Sequence, residues 1–317
     1  MPATPSAPDQ QSESMRTVIV ALGANALVAL AKSFAAVLTG AASMVAEAAH
    51  SWADTGNEIF LFVAGRRAAK SADAQHPLGY GREAYVWSLI AAFGLFAVGA
   101  VLSIAHGVQE LFSPEPASNY IVSYVVLALA FVVEGVSFLR AARQARPEAA
   151  AQDRDLLDYV LDTSDPTLRA VFFEDAAALI GLVIAFLGIL LHQVTGSPVP
   201  DAIGSILVGV LLAVVAIVLI QQNRRFLVGE IVDPRVRAAA LERLLEHPQI
   251  LAVSYLHIEY VGPNRVLLIA ALDLAGDAPE HTVAERLNRI SDELEARDRV
   301  ARAVLTLSRP GDAALSV

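Results

Sequence analysis

Glu47-Ala-Ala-His50-Ser-Trp-Ala-Asp54-Thr-Gly-Asn57-Glu58 decides how this chain is read. It lies inside a run otherwise built of Ala, Val, Leu, Ile and Phe. Spacings of three and four residues place Glu47, His50, Asp54 and Glu58 on one face of a helix. Ionisable groups in hydrocarbon are costly unless they find partners or water, and they are retained there chiefly for function. A neutral imidazole and a carboxylate pointing the same way are two ligands for a borderline divalent metal. The expectation is that other helices bring further ligands to this stripe and move it between two aqueous sides.

The composition agrees. Of 317 residues, 55% are hydrophobic and only 18% charged, with a mean hydropathy of +0.52. That is too apolar for an ordinary soluble protein and fits a polytopic membrane protein with a soluble part. Cysteine is absent, which removes thiolate metal sites, disulfides and cysteine catalysis together. A net charge of −10 argues against a nucleic-acid partner. No signal peptide is evident, and the polar residues 1–15 read as a disordered tail.

Six apolar segments could span ~30 Å of hydrocarbon at ~1.5 Å per residue: 18–38, 42–64, 85–112, 120–139, 168–191 and 202–220. Gly40, Ser113-Pro-Glu-Pro116 and Gly196-Ser-Pro-Val-Pro200 break the chain on one side. The connections on the other side hold Arg66, Arg67, Lys70 and Arg82, then Arg140, Arg143, Arg146, Arg154 and Arg169, then Arg224 and Arg225. The first set holds no Lys or Arg, so the positive-inside rule makes both termini cytoplasmic, in the cell (inner) membrane. The fold class expected is a polytopic six-helix membrane domain over 16–226 followed by a cytoplasmic α+β domain over 227–310 and a tail, 311–317. The acidic linker 145–166 reads as holding one short amphipathic helix near 153–161. It has no histidine to gather metal.

Past Gly229, Asp233-Pro234 is an N-cap followed by proline at the first helical position, opening a helix to about residue 246. Segments 251–260 and 265–274 read as two strands joined by Gly262-Pro-Asn264. Val283, Leu287, Ile290 and Leu294 mark an amphipathic helix over 279–296, and 303–307 is a last strand. The order α-β-β-α-β suggests a ferredoxin-like domain of about 80 residues, small enough that an apolar sheet face would invite dimer packing.

Several more residues carry potential chemistry. In Phe172-Phe-Glu174-Asp175 of the fifth span, ~100° separates the two acids on a helix, so both could approach His50 and Asp54. Glu174 could instead cap or flank the helix start. Glu134, mid-span in the fourth segment, fits a proton carrier, a ligand support, or a carboxyl kept neutral by burial. Lys32, in the first span, fits a partner of Glu47 or Glu134, and His106 an interfacial residue. In the loop Asp73-Ala-Gln-His76-Pro-Leu-Gly-Tyr80-Gly-Arg82-Glu83, Asp73 and His76 could bind a metal at the cytoplasmic surface. Two ligands make a weak site, and Gly79 and Gly81 equally fit a structural turn into the third span.

With these residues in view, the chain resembles the cation diffusion facilitator family. The resemblance rests on His50-x-x-x-Asp54, His76-Pro-Leu-Gly-Tyr-Gly-Arg82, Asp175, Asp201 opening the sixth span, and the α-β-β-α-β tail, and covers about 18–310. His76 to Pro116 and Glu174-Asp175 are most similar to the branch of the animal mitochondrial zinc transporter. The resemblance implies a homodimeric antiporter that exports a divalent cation, most simply Zn²⁺, in exchange for protons, with no resident cofactor. It implies a transport site of His50, Asp54 and Asp175. The family's usual fourth ligand falls on Val171, which cannot ligate; Glu174 is the candidate replacement and water the alternative. Where other members often have a further loop histidine stands Tyr80. The usual histidines of the tail domain fall on Ser254, Asn288 and Leu307, so no metal is expected there, and His247, His257 and His281 read as surface or packing residues.

Metal ligands must shed protons, so a binding cation displaces them, and helices rocking around the site would couple the two flows. A Mn²⁺ or Fe²⁺ transporter, and a non-transporting membrane scaffold with an altered site, are the alternatives. An enzyme is not expected, because His-Glu-x-x-His and Gly-x-Ser-x-Gly are both absent.

Overall fold

The computed structural model describes residues 7–114 and 119–316, with side chains from residue 22 onward. The chain runs α1 (Ala7–Thr39), α2 (Ala42–Ala68), α3 (Glu83–Gly94), a π-helical stretch Leu95–Ala100, α4 (Val101–Phe112), α5 (Tyr120–Ala151), α6 (Leu156–Asp162), α7 (Pro166–Thr195) and α8 (Val199–Val228). Then follow α9 (Pro234–Leu245), β1 (Ile250–Gly262), β2 (Arg265–Leu274), α10 (Glu280–Glu295) and β3 (Val300–Leu307). Among the described residues, five stretches are long and apolar enough to cross a membrane: Leu22–Thr39, Glu83–Phe112, Tyr120–Ala151, Pro166–Thr195 and Val199–Val228. At 27 residues α2 has the length, but Glu47, His50, Asp54, Asn57 and Glu58 dilute its apolarity below that of the others.

In the membrane helices, two sequence expectations change. α1 begins at Ala7, so residues 7–15, expected in a disordered tail, are helical; residues 1–6 and the proline break at 116 lie outside the described residues. α5 does not stop near 139. It continues to Ala151 with Pro147 inside it, because Ala141, Ala142, Ala145 and Ala149 bury a small-residue stripe against Tyr159 and Val160 of α6 and Phe172 of α7. That packing overrides the bond Pro147 removes.

Local chemistry sets the ends of the other helices. Asp165 accepts from the N–H groups of Thr167 and Leu168 at 2.9 and 3.2 Å, with Pro166 at the first helical position, to open α7. Gly196 closes it at φ 71°. Within the membrane unit, which comprises residues up to Ala64 together with Trp87–Asn223, glycines let helices touch backbone to backbone. A Cβ at Gly107 would stand 2.8 Å from the Ala202 carbonyl, and one at Gly209 2.9 Å from the Ala100 carbonyl, so α8 crosses α4 closely.

The second unit joins Gly65–Val86 to the chain from Arg224 onward. A boundary at 227 therefore leaves out a loop that packs with the C-terminal domain. The domain's sheet has the order β1-β2-β3, with β1–β2 antiparallel and β2–β3 parallel, completing the α-β-β-α-β plan. Strand residues Val253, Leu256, Ile258, Leu268, Ala270 and Leu272 form its core with Leu241, Leu244, Ile290 and Leu294, the alternation in β1 being broken by a register shift after Val253. Gly81 lies flat on Gly262: a Cβ at Gly81 would be 2.5 Å from the Val261 carbonyl oxygen. The region 311–316 is not loose, since Leu315 N–H donates to the Val253 carbonyl at 2.8 Å.

Candidate metal site

α2 starts at a buried carboxylate. Gly40, at φ 64°, ends the preceding turn, and the N–H groups of Ala42 and Ser43 donate to Asp201 of α8 at 2.6 and 3.2 Å, joined by the Ser43 hydroxyl. A carboxylate there satisfies otherwise orphan donors and faces the positive end of the helix dipole. Asp201 is thereby committed to holding α2 and α8 in register.

From this anchored end the polar face of α2 meets α1 on one side. Lys32 Nζ donates to Glu47 Oε2 at 2.8 Å, both residues fully buried, and Asn25 donates to Glu58 Oε1 at 2.7 Å. Of the two partners expected for Lys32, Glu47 is the one in contact. Between these clamps lie His50, 1% exposed, and Asp54. His50 Nε2 is 3.3 Å from Asp54 Oδ2, but without the alignment of a hydrogen bond.

α7 supplies the acids. Glu174 is buried and accepts a hydrogen bond from the Asn57 amide of α2. Asp175 is half-buried and hydrogen-bonded by the Ser137 side chain of α5. The Asp54 carboxylate stands within electrostatic reach of Glu174, Glu134, Lys32 and Asp175. Thus Glu174 faces α2 and does not serve as a helix cap. Glu134, buried in α5, lies within reach of Lys32 and Glu47. Val171 packs among apolar neighbours.

Among the described residues no three His, Asp or Glu side chains already cluster tightly enough to hold a metal. What the interface does hold is unsatisfied lone pairs. His50 Nδ1 and Nε2, Asp54 Oδ1, Asn57 Oδ1, Glu58 Oε2, Glu174 Oε1 and Asp175 Oδ2 are buried without hydrogen-bond partners. Each such group costs on the order of 1–3 kcal/mol, so a concentration of them on facing helices calls for water or a cation to complete it. One imidazole with several carboxylates suits Zn²⁺ and, as oxygens predominate, Mn²⁺.

The loop pair behaves differently. Asp73 Oδ1 accepts from the N–H groups of Gln75 and His76 at 2.9 and 2.8 Å, and the Tyr80 hydroxyl donates to Oδ2 at 2.7 Å. The Tyr80 bond first, then the His76 N–H, holds the Asp73 carboxyl below the usual carboxylate range. His76 Nδ1 is 3.5 Å from Oδ1 and its ring lies on Tyr80. These bonds make a staple for the turn, with Gly79 at φ 79°. In the tail domain, Ser254 bonds to Ser308, His247 pairs with Glu293 and His257 with Glu259.

Sequence reasoning did not assign Asn57, Ser137 or the capping role of Asp201. Asn57 was within reach of it, being three residues after Asp54 on the same helical face.

A bundle of apolar helices enclosing an acid–imidazole face, followed by a small α+β domain, defines a multi-pass membrane protein with a buried polar face. The profile of the cation efflux transmembrane domain matches residues 18–228, and the chain belongs to that family, the cation diffusion facilitators. It is 36% identical over 281 residues to metal tolerance protein C4 of Arabidopsis thaliana, covering 89% of this chain and 61% of that one. To the mitochondrial proton-coupled zinc antiporter SLC30A9 it is 35% identical in Xenopus laevis, over 89% of this chain and 52% of the relative. With the human form it is 33% identical, over 86% and 48%. The chain thus stands near the SLC30A9 branch while spanning 48–61% of these relatives' lengths.

Proposed function

We propose that this chain exports a divalent metal cation, Zn²⁺ before others, from the cytoplasm in exchange for protons. The observation that carries this reading is the set of unpartnered ligand atoms on α2 and α7: His50, Asp54, Glu174 and Asp175. An arriving cation draws Asp175 and Glu174 toward the His50–Asp54 pair, with Glu174 giving up Asn57 and filling the place that Val171 leaves empty. Ligands bind metal deprotonated, so loading expels protons and unloading takes them up. α2 is the sixth crossing, and rocking of helices around the site exposes it to each side in turn. The basic connections favour a cytoplasmic position for both termini, and the functional unit is a homodimer. The names of the SLC30A9 relatives, proton-coupled zinc antiporters, favour the same ion and counter-ion. The preponderance of oxygen ligands favours Mn²⁺ as second substrate.

The test is Zn²⁺ uptake into proteoliposomes under a pH gradient. Asp54→Ala and Asp175→Ala should each lower the initial rate by about tenfold or more, in the range typical for disturbed metal sites. Uptake that survives both substitutions unchanged sinks the site.

A further inference from the structure

A lysine fully buried beside the proposed transport site is an anomaly that the exchange of metal for protons does not use. Lys32 of α1 is 0% exposed. Its ammonium donates to Glu47 Oε2 at 2.8 Å and lies within electrostatic reach of Glu134 and Asp54 as well. His50 lies within its electrostatic reach too. A positive charge beside a site meant for a dication works against binding, unless it does something else there.

What it does is visible in its partner. Glu47 is three residues before His50 on the same face of α2, so its carboxylate is a further oxygen donor on that stripe. Its other oxygen, Oε1, is buried without a hydrogen-bond partner. That oxygen lies against α7, where a Cβ at Gly181 would come within 2.7 Å of it. Glu47 is therefore set between α1 and α7, fully buried, with one oxygen tied to an ammonium and the other in a gap that only glycine leaves open.

We propose that Lys32 is a specificity-determining positioning residue: its tethered ammonium occupies Glu47 and withholds that carboxylate from the transported cation. The cation then meets a site in which the His50 nitrogen keeps its weight. With Glu47 free, the site gains an oxygen donor and shifts toward ions that favour carboxylates, Mn²⁺ over Zn²⁺. This rests on the proposed transport reading.

The test compares initial rates of Zn²⁺ and Mn²⁺ uptake by the full chain in proteoliposomes. Lys32→Met frees Glu47 and should raise the Mn²⁺-to-Zn²⁺ ratio by about tenfold, the scale of an altered ligand shell. Lys32→Met/Glu47→Gln should bring the ratio back to the wild-type value. Should Lys32→Met fail to fold, Glu47→Gln alone still decides: an unchanged ratio supports the proposal, and a shift shows Glu47 to be a ligand already and overturns it. Equal loss of both fluxes in Lys32→Met, with the ratio unmoved, means a merely structural pair and also overturns it. Wild-type vesicles that move neither ion overturn the transport reading and this inference together, whereas wild-type flux with an unmoved ratio overturns only the inference.

Discussion

In the proposed transport site, Asn57 is the residue that sets the balance between holding a cation and releasing it, through its bond to Glu174. The amide donates to a carboxylate that would otherwise sit unsatisfied between α2 and α7. Under the proposed function it competes with the transported cation for that oxygen. Asn57→Ala removes the competitor, so the metal should bind more tightly and leave more slowly. The expected result in uptake kinetics is a lower KM for Zn²⁺ together with a lower maximal rate, both by several-fold; a rise in KM contradicts the competition. At the cytoplasmic loop the same logic applies to a proton. Asp73 has its carboxyl held low in the fold, chiefly by Tyr80, so its contribution to the turn is present above the ordinary carboxylate range. It is lost as pH falls through the lowered value. Tyr80→Phe should move that loss to higher pH, read as faster protease cleavage of the 70–82 loop near pH 4 than in the wild type.

At the scale of helices, two kinds of contact place the site, and sequence exposes only one of them. Apolar length is local, so the spans could be read directly, and so could the His50–Asp54 face, which depends on spacing within one helix. Which carboxylate meets which donor is not local. Asp201 caps α2 from 158 residues away, Glu174 meets Asn57 from 117, and no periodicity in either segment announces the partner. The end of α5 misled for a related reason: Arg140, Arg143, Arg146 and Pro147 read as a loop, while the decisive alanines are packing residues whose partners lie in α6 and α7. The glycines give the clearest test at this scale. Gly209 abuts the Ala100 carbonyl and Ile104, where backbone cannot yield cheaply. Gly209→Ala should destabilise the membrane unit by roughly 1–3 kcal/mol, the usual cost of overpacking. Thermal unfolding in detergent should show it, and Gly94→Ala, where a Cβ meets nothing within 4 Å, should be near neutral.

For the molecule as a whole, the loop between α2 and α3 belongs to the C-terminal unit and not to the helices it connects. Three contacts fasten it. Gly81 and Gly262 meet with no room for a side chain, since a Cβ on Gly262 would lie 2.7 Å from the Gly81 Cα. Arg82 pairs with Glu259 of β1, and Tyr85 stacks on Phe226 with ring centroids 5.1 Å apart. The ion pair is partly exposed and contributes little alone, while the buried ring stack and the backbone contact depend on shape. Breaking shape should therefore loosen the loop more than breaking charge. Gly262→Val forces the two backbones apart and should expose Lys70 and Arg82 to trypsin in the full-length protein, raising the cleavage rate by about tenfold or more if the lost packing is worth ~1.4 kcal/mol. Arg82→Ala removes one cleavage point and the ion pair, and should leave cleavage at Lys70 within about threefold of the wild type. If the order is reversed, with the arginine variant the more labile, electrostatics and not close packing binds this loop to the domain.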